Sequence, residues 1–276
     1  MSISLADKVI IITGASSGIG AATALACSAA GMPVLISGRN EERLASVAQQ
    51  IEAQGRPVKM VLGDITEPDL SQRLLDTAQQ HFGGFYAVFA NAGVALDQPL
   101  YRMGMEEVRR HFDINFFSST DLIIRAAQRL IAASQSGHLL SCSSCVAKFT
   151  LPGHGVYSAT KAAQNHVSRA LGMELQDRDI YVSSVMPITT RTDLFSTAAT
   201  QRGLDGSKHK LPKHAPRFFV QTPERVARAI VKCLRSPRPE VWTSLTVKLS
   251  AAFLTLAPRF ADAVLRRSAT DWKDDQ

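Results

Sequence analysis

Several things are scarce in this chain. Cysteine is one: four in 276 residues is too few for a disulfide framework and points to a reducing compartment. A leader is another. The opening Met-Ser-Ile-Ser-Leu-Ala-Asp-Lys lacks a basic stretch followed by an apolar run and a cleavage site, so a cytoplasmic location is expected. Charge is missing from Val9 to Gly38, a length able to span a bilayer. Gly14, Gly18, Gly20, Gly31 and Pro33 interrupt that run, so it reads better as strand, glycine turn, helix and strand. There is no internal repeat and no low-complexity tract. Hydrophobic residues at 45% and charged residues at 20% exclude a disordered or collagen-like chain.

What charge there is lies unevenly. Residues 201–276 hold 15 basic and 7 acidic side chains, leaving 16 and 17 for the first 200. The net charge of +7 therefore belongs to the C-terminal quarter. Such a surface is either a solvated face or a meeting place for an acidic carrier protein or an anionic membrane surface. The partner expectations are a small-molecule substrate, one of these two through the basic quarter, and no nucleic acid; peripheral attachment to a membrane goes with the second.

Short apolar runs alternate with helical patterns. Strands are expected at Val9–Ile12, Val34–Ser37, Val58–Leu62, Tyr86–Ala90, His138–Cys142 and Tyr181–Met186. Helices are expected at Ile19–Ala30, Glu41–Gln54, Asp69–Phe82, Met105–Ala133, Tyr157–Leu175 and Glu224–Leu234, the last with Thr222 as N-cap and Pro223 at its first position. Leu245–Arg267 reads as helical, broken or kinked at Pro258. Alternation of this kind gives the α/β class: a Rossmann-type doubly wound parallel sheet of about seven strands with helices on both faces. One domain is expected over 1–276, with a substrate loop at 190–222 and a C-terminal extension at 240–276.

Between the first strand and helix stands Thr13-Gly14-Ala15-Ser16-Ser17-Gly18-Ile19-Gly20. Glycines there let the backbone approach a pyrophosphate, and the helix end beyond supplies N–H groups and positive potential. The segment resembles the T-G-x-x-x-G-x-G turn of the short-chain dehydrogenases/reductases. Asn91-Ala92-Gly93 resembles that family's N-A-G, Tyr157-Ser158-Ala159-Thr160-Lys161 its Y-x-x-x-K, and Asn115 its helix asparagine. Ser144 lies thirteen residues before Tyr157, as the family's serine does. The five matches are in order and span about residues 5–195.

The resemblance implies a nicotinamide dinucleotide and an oligomer, a homodimer or homotetramer built through the faces of Met105–Ala133 and Tyr157–Leu175. The cofactor's form is argued locally. An acid at the end of the second strand binds a ribose 2′-hydroxyl and repels a 2′-phosphate. Here Gly38 occupies that place and Arg39 follows, with a guanidinium suited to phosphate. NADP(H) is therefore expected, with Ser16 and Ser17 as further contacts. Asp64 and Ile65 resemble the adenine-contacting pair. Pro187, Thr190 and Thr192 match the segment after the sixth strand that meets the carboxamide and pyrophosphate. Ile188 departs from the family's glycine there and is expected to narrow the pocket or shift the loop. Lys148 departs from a second glycine, with little effect expected.

Tyr157 and Lys161, four residues apart, share a helix face. A phenol needs its pKa of about 10 lowered to work near neutrality, and a neighbouring ammonium is expected to do so. Carried over from the family, Tyr157 is the proton donor, Lys161 also holds the nicotinamide ribose, Ser144 binds the substrate carbonyl, and Asn115 anchors a water beside Lys161. His154, just before Tyr157, is expected at the substrate, as is Leu194 in an apolar loop after the sixth strand that suits a lipid-like or acyl ketone. No metal site is expected; Cys142-x-x-Cys145 reads as two buried small residues. The leading function is an NADPH-dependent ketone reductase. The alternatives are an NADP-dependent alcohol dehydrogenase running in oxidation and a non-catalytic NADP-binding protein.

Overall fold

In a computed structural model of the chain, residues 2–95, 98–192 and 220–266 are described. Seven strands among them form one parallel sheet. They are β1 (Ile10–Thr13), β2 (Val34–Gly38), β3 (Val58–Leu62), β4 (Ala87–Ala90), β5 (Gly137–Cys142), β6 (Ile180–Met186) and β7 (Glu240–Trp242), in spatial order 3-2-1-4-5-6-7. The helices are α1 (Gly18–Ala29), α2 (Glu41–Glu52), α3 (Leu70–Phe82), α4 (Met105–Phe112), α5 (Ser118–Ala132), α6 (Gly155–Glu174), α7 (Pro223–Arg235), α8 (Leu245–Leu256) and α9 (Pro258–Leu265).

Consecutive residues of β1 serve opposite faces, as strand geometry requires. Ile10 and Ile12 join Val34, Ile36, Phe89 and Leu140 in one core, under α1 and α7. Ile11 joins Leu35, Val88 and Leu139 in the other, under α3 and α5. Both faces are covered, so β1, β2 and β4 are built on unbroken apolar runs. Each such side chain taken out of water is worth about 1.5–3 kcal/mol. The strand order reverses between β1 and β4, and in this architecture that point opens a crevice at the carboxyl ends of the strands.

The structure refines four sequence readings. The expected helix over Met105–Ala133 is α4 and α5 joined through a π turn, Asp113–Phe117. The apolar stretch from Leu245 splits into α8 and α9, with Pro258 at the start of α9. Thr222 has the N-cap position of α7 but makes no side-chain cap; it hydrogen-bonds Glu224 instead, which lowers that carboxyl's pKa. The seventh strand falls inside the segment expected as a C-terminal extension. β7 is three residues long and opens on Glu240, so it carries little strand signature of its own.

Candidate active site

The glycine turn leaves β1 at Thr13. Gly14 has φ +63° and Gly18 +56°, the left-handed region where a side chain is strained. Space is denied as well: a Cβ at Gly14 would stand 2.9 Å from Ala92 Cα, and one at Gly18 2.8 Å from Thr192 Cγ2. Asn91 locks the turn to the end of β4. Its Nδ2 donates to the Thr13 carbonyl at 3.0 Å, while Thr13 Oγ1 accepts from the Asn91 and Ala92 amides at 3.1 Å. Ser17 caps α1 in extended conformation without a side-chain hydrogen bond. The first-turn amides of a helix have no intrahelical acceptor, so this end suits an anion.

A cavity of about 570 Å³ runs from this turn along the strand ends. Gly14, Ser16, Ser17, Gly18, Ile19, Arg39, Asp64, Ile65, Asn91, Ala92 and Gly93 line one part; Ser144, His154, Tyr157, Lys161, Pro187, Thr190 and Thr192 line the other. Gly20 lies beneath the wall, where a Cβ would strike the Gly14 carbonyl. Leu194 lies outside the described residues. The cavity fits a dinucleotide in kind: a cradle without side chains, a helix N-terminus, and cations at one end.

At that end Arg39 Nη1 pairs with Asp64 Oδ2 at 3.3 Å, with the side chains 52% and 37% exposed. Although partial burial opposes it, hydrogen bonds from Thr66 and the Arg39 guanidinium hold the Asp64 carboxyl below its ordinary pKa. The sequence reading gave the two residues separate roles; the structure joins them. Ser16 sits against Gly38, 3.3 Å from where a Cβ there would be. Arg43, on the first turn of α2, also lines this end and was missed. The signal was local: Asn40 caps α2 through the Arg43 amide at 2.8 Å, turning the chain here.

At the other end Ser144 follows β5, and Tyr157 and Lys161 stand on α6. The Lys161 Nζ is 5.6 Å from the centre of the Tyr157 ring and donates to the Cys142 carbonyl at 2.7 Å. Burial holds the Lys161 ammonium below its usual pKa. Burial also pushes the Tyr157 phenol up, against a hydrogen bond with Ser144. Burial and the nearby Cys142 thus work against the lowering that the sequence reading expected from Lys161. His154 packs edge-to-face on Tyr157 with centroids 6.3 Å apart.

Asn115 is fully buried in the π turn. Its side chain accepts from the Val94 amide at 2.8 Å and donates to the Val94 carbonyl at 2.9 Å. It holds the chain beyond Gly93 in place, behind the cavity wall. π turns recur at functional sites because they displace the helical ladder by one residue.

The segment after β6 is pinned from both sides. The Cys145 amide donates to the Pro187 carbonyl at 3.0 Å. Thr190 forms a parallel bridge with Gln221, whose Nε2 donates to Thr190 Oγ1 at 3.1 Å. Gln221 was missed, since nothing in sequence separates it from the loop before it. Ile188 lines the cavity. Lys148 braces the turn after Ser144: its Nζ meets Glu240 Oε1 at 2.7 Å, and Thr255 Oγ1 donates to its carbonyl at 2.9 Å. Cys142 and Cys145 are free thiols, and burial pushes Cys145 up to about 11.

Comparison with known proteins places this arrangement. The short chain dehydrogenase model matches residues 8–203. An uncharacterized oxidoreductase of Listeria innocua is 30% identical over 233 residues, 84% of this chain and 92% of its own. One from Staphylococcus aureus is 30% identical over 244 residues, 88% and 98%. Among solved structures, a short-chain dehydrogenase/reductase from Burkholderia phymatum in complex with NAD has a TM-score of 0.83 at 20% identity, covering 94% of this chain and 96% of that one. A short chain dehydrogenase from Mycobacterium paratuberculosis bound to NAD has 0.72 at 25%, covering 85% and 93%. With the family model over most of its length and relatives matching nearly end to end, the chain belongs to the short-chain dehydrogenase family of oxidoreductases.

Proposed function

We propose that the protein is an NADPH-dependent reductase of an apolar, lipid-like or acyl ketone. The observation that carries this reading is the convergence of Ser144, Tyr157 and Lys161 on one wall of the cavity whose far end is the glycine turn. A bound nicotinamide dinucleotide supplies hydride there. Ser144 Oγ binds the substrate carbonyl oxygen and stabilises the charge that develops on it. Tyr157 donates its proton to that oxygen. Lys161 holds the nicotinamide ribose. Val94, Ile114, Val146, Leu151 and Ile188 give the wall its apolar character.

Preference for the 2′-phosphate rests on Arg39, Arg43 and Ser16 around Gly38. A half-exposed pair such as Arg39–Asp64 is worth about 0–1 kcal/mol, so a phosphate displaces it readily. The neighbours bound to NAD set the competing outcome. The test is cofactor oxidation with NADPH and NADH against β-ketoacyl thioesters, long-chain ketones, ketosteroids and small aromatic carbonyls, with Tyr157→Phe as control. Turnover with NADPH that Tyr157→Phe abolishes is expected; a preference for NADH overturns the Arg39 assignment.

Two surfaces support the partner expectations. Met105 on α4, Phe117 in the π turn and Ile124 on α5 are exposed, a face suited to pairing with a second copy in a dimer or tetramer; sedimentation at several concentrations tests it. On α8 and α9, Val247, Ala251 and Ala261 pack inward, while Leu245, Leu249, Phe253, Leu256, Phe260 and Val264 form an exposed ridge beside the exposed Lys248, Arg259 and Arg266. Apolar residues flanked by cations suit an anionic lipid surface. Flotation with phosphatidylglycerol but not phosphatidylcholine vesicles is expected, and competition by an acidic carrier protein assigns the ridge to that partner instead.

A further inference from the structure

The buried face of α6 is nearly all polar: Ser158, Thr160, Lys161, Gln164, Asn165 and Ser168, with Val156 the exception. Polar groups on such a face need partners, and among those named Ser158 Oγ alone lacks one. Lys161 has three N–H donors and no acceptor, on a flexible four-carbon stem. One donor goes to the Cys142 carbonyl at 2.7 Å and a second to Gln164 Oε1 at 2.9 Å. Gln164 Nε2 donates to Ser119 Oγ at 2.8 Å. Ser119 in turn donates to the Asn115 carbonyl at 2.9 Å and the Phe116 carbonyl at 3.1 Å, both in the π turn. Lys161, Gln164 and Ser119 are 4%, 2% and 4% exposed.

The direction of every bond is forced. The Lys161 ammonium only donates, so Ser119 accepts from the Gln164 NH₂ and its own rotatable proton goes to the π turn. The carboxamide thus points its NH₂ at Ser119 and its oxygen at Lys161. Two of the ammonium's three tetrahedral directions are fixed, and the third is left on the cavity side. Gln164 and Ser119 thus connect Lys161 to the Asn115 carbonyl through side chains.

We infer that Gln164, oriented by Ser119, is a positioning residue that aims the free N–H of Lys161 at the bound nucleotide. Gln164 touches neither substrate nor reacting atoms; it acts through Lys161. The inference rests on the reductase reading for its kinetic test alone.

The full chain is compared with Gln164→Leu, Gln164→Glu and Ser119→Ala. Leucine nearly matches the volume and removes the acceptor. Glutamate restores an acceptor, and Ser119 can turn its hydroxyl to donate to it. For Gln164→Leu, kcat is expected to fall roughly tenfold or more, because small misplacements of a catalytic group are costly, with the ketone KM little changed. Gln164→Glu recovers most of that loss, and Ser119→Ala lies between. Independently of turnover, the Lys161 side-chain ammonium resonance in ¹⁵N-lysine spectra, assigned with Lys161→Arg, is expected to shift or broaden in Gln164→Leu and return in Gln164→Glu. Unchanged kcat and an unmoved resonance in Gln164→Leu overturn the inference. Equal losses in Gln164→Leu and Gln164→Glu, with equal falls in unfolding temperature, overturn it too, since Gln164 is then only core. If the wild type turns over no ketone, the resonance still decides the positioning role, and only the reductase reading fails.

Discussion

Strands β5 and β6 carry two buried polar clusters. Near the carboxyl ends, Lys161 is held by Gln164, Ser119 and the Cys142 carbonyl. Toward the amino end of β5, His138 Nε2 lies 2.7 Å from Ser183 Oγ, which donates to the Arg238 carbonyl at 2.6 Å, with Cys233 Sγ at 3.4 Å. Because Ser183 gives its proton to Arg238, Nε2 is the donor to Ser183. A histidine, a serine and a cysteine in contact would attract any reader hunting for catalysis by residue type alone. The difference is in what faces outward. Lys161 keeps a donor on a cavity wall, whereas His138 is fully buried in the sheet, with its pKa lowered by burial to about 3. Burial of reactive groups marks a site only where a valence opens onto space for a ligand.

That contrast can be broken or sharpened by experiment. The largest effect is expected at the cavity end. Tyr157→Phe removes the proton donor and lowers kcat about 10²- to 10⁴-fold, with the unfolding temperature held; equal activity of the two proteins would break the contrast outright. Next is Arg39→Ala. A hydrogen bond to a charged group is worth about 1.5–3 kcal/mol, so titration should show NADPH binding weakened roughly ten- to a hundredfold and NADH binding little altered.

At the closed end the expected readout is stability. The folded pKa of His138, about 3, lies below the usual value of about 6.5. The unfolded chain therefore binds the proton first, and stability falls as pH drops from 6.5 toward 3. The slope approaches ~1.4 kcal/mol per pH unit. His138→Leu should flatten that acid limb in denaturant titrations at several pH values and leave kcat alone. The smallest effect is expected on the outer surface of α5. The Arg125–Asp121 pair, four residues apart and 41% exposed on each side, is worth about 0.3–0.5 kcal/mol, so Arg125→Ala should barely move the unfolding midpoint.

What was legible in the sequence follows the same divide. β1, β2 and β4 are built on unbroken apolar runs because both faces of the sheet are covered, and the run itself carries that information. The glycine turn and the Tyr157–Lys161 spacing are local, so they too could be read. Partnerships across long separations could not. Glu240 joins a buried edge strand because Lys148, 92 residues earlier, meets its carboxylate. Gln164 is an ordinary helix former until α5 brings Ser119 alongside it, and Asp64 gains Arg39 only once β2 and β3 lie in register. The roles of Glu240 and Gln164, and the pairing of Asp64, each depend on a partner that tertiary structure supplies.

The brace on the turn after Ser144 has a consequence for the order in which the protein matures. Chains generally fold from the N-terminal end as they are synthesised. Lys148 must wait for Glu240 and Thr255, the latter 107 residues downstream. A ribosome-held chain that ends before Thr255 already contains Ser144, Tyr157 and Lys161, yet it lacks the Thr255 contact on the turn after Ser144. The last contact on the turn after Ser144 thus forms late in translation, supplied by a helix that itself bears none of the chemistry.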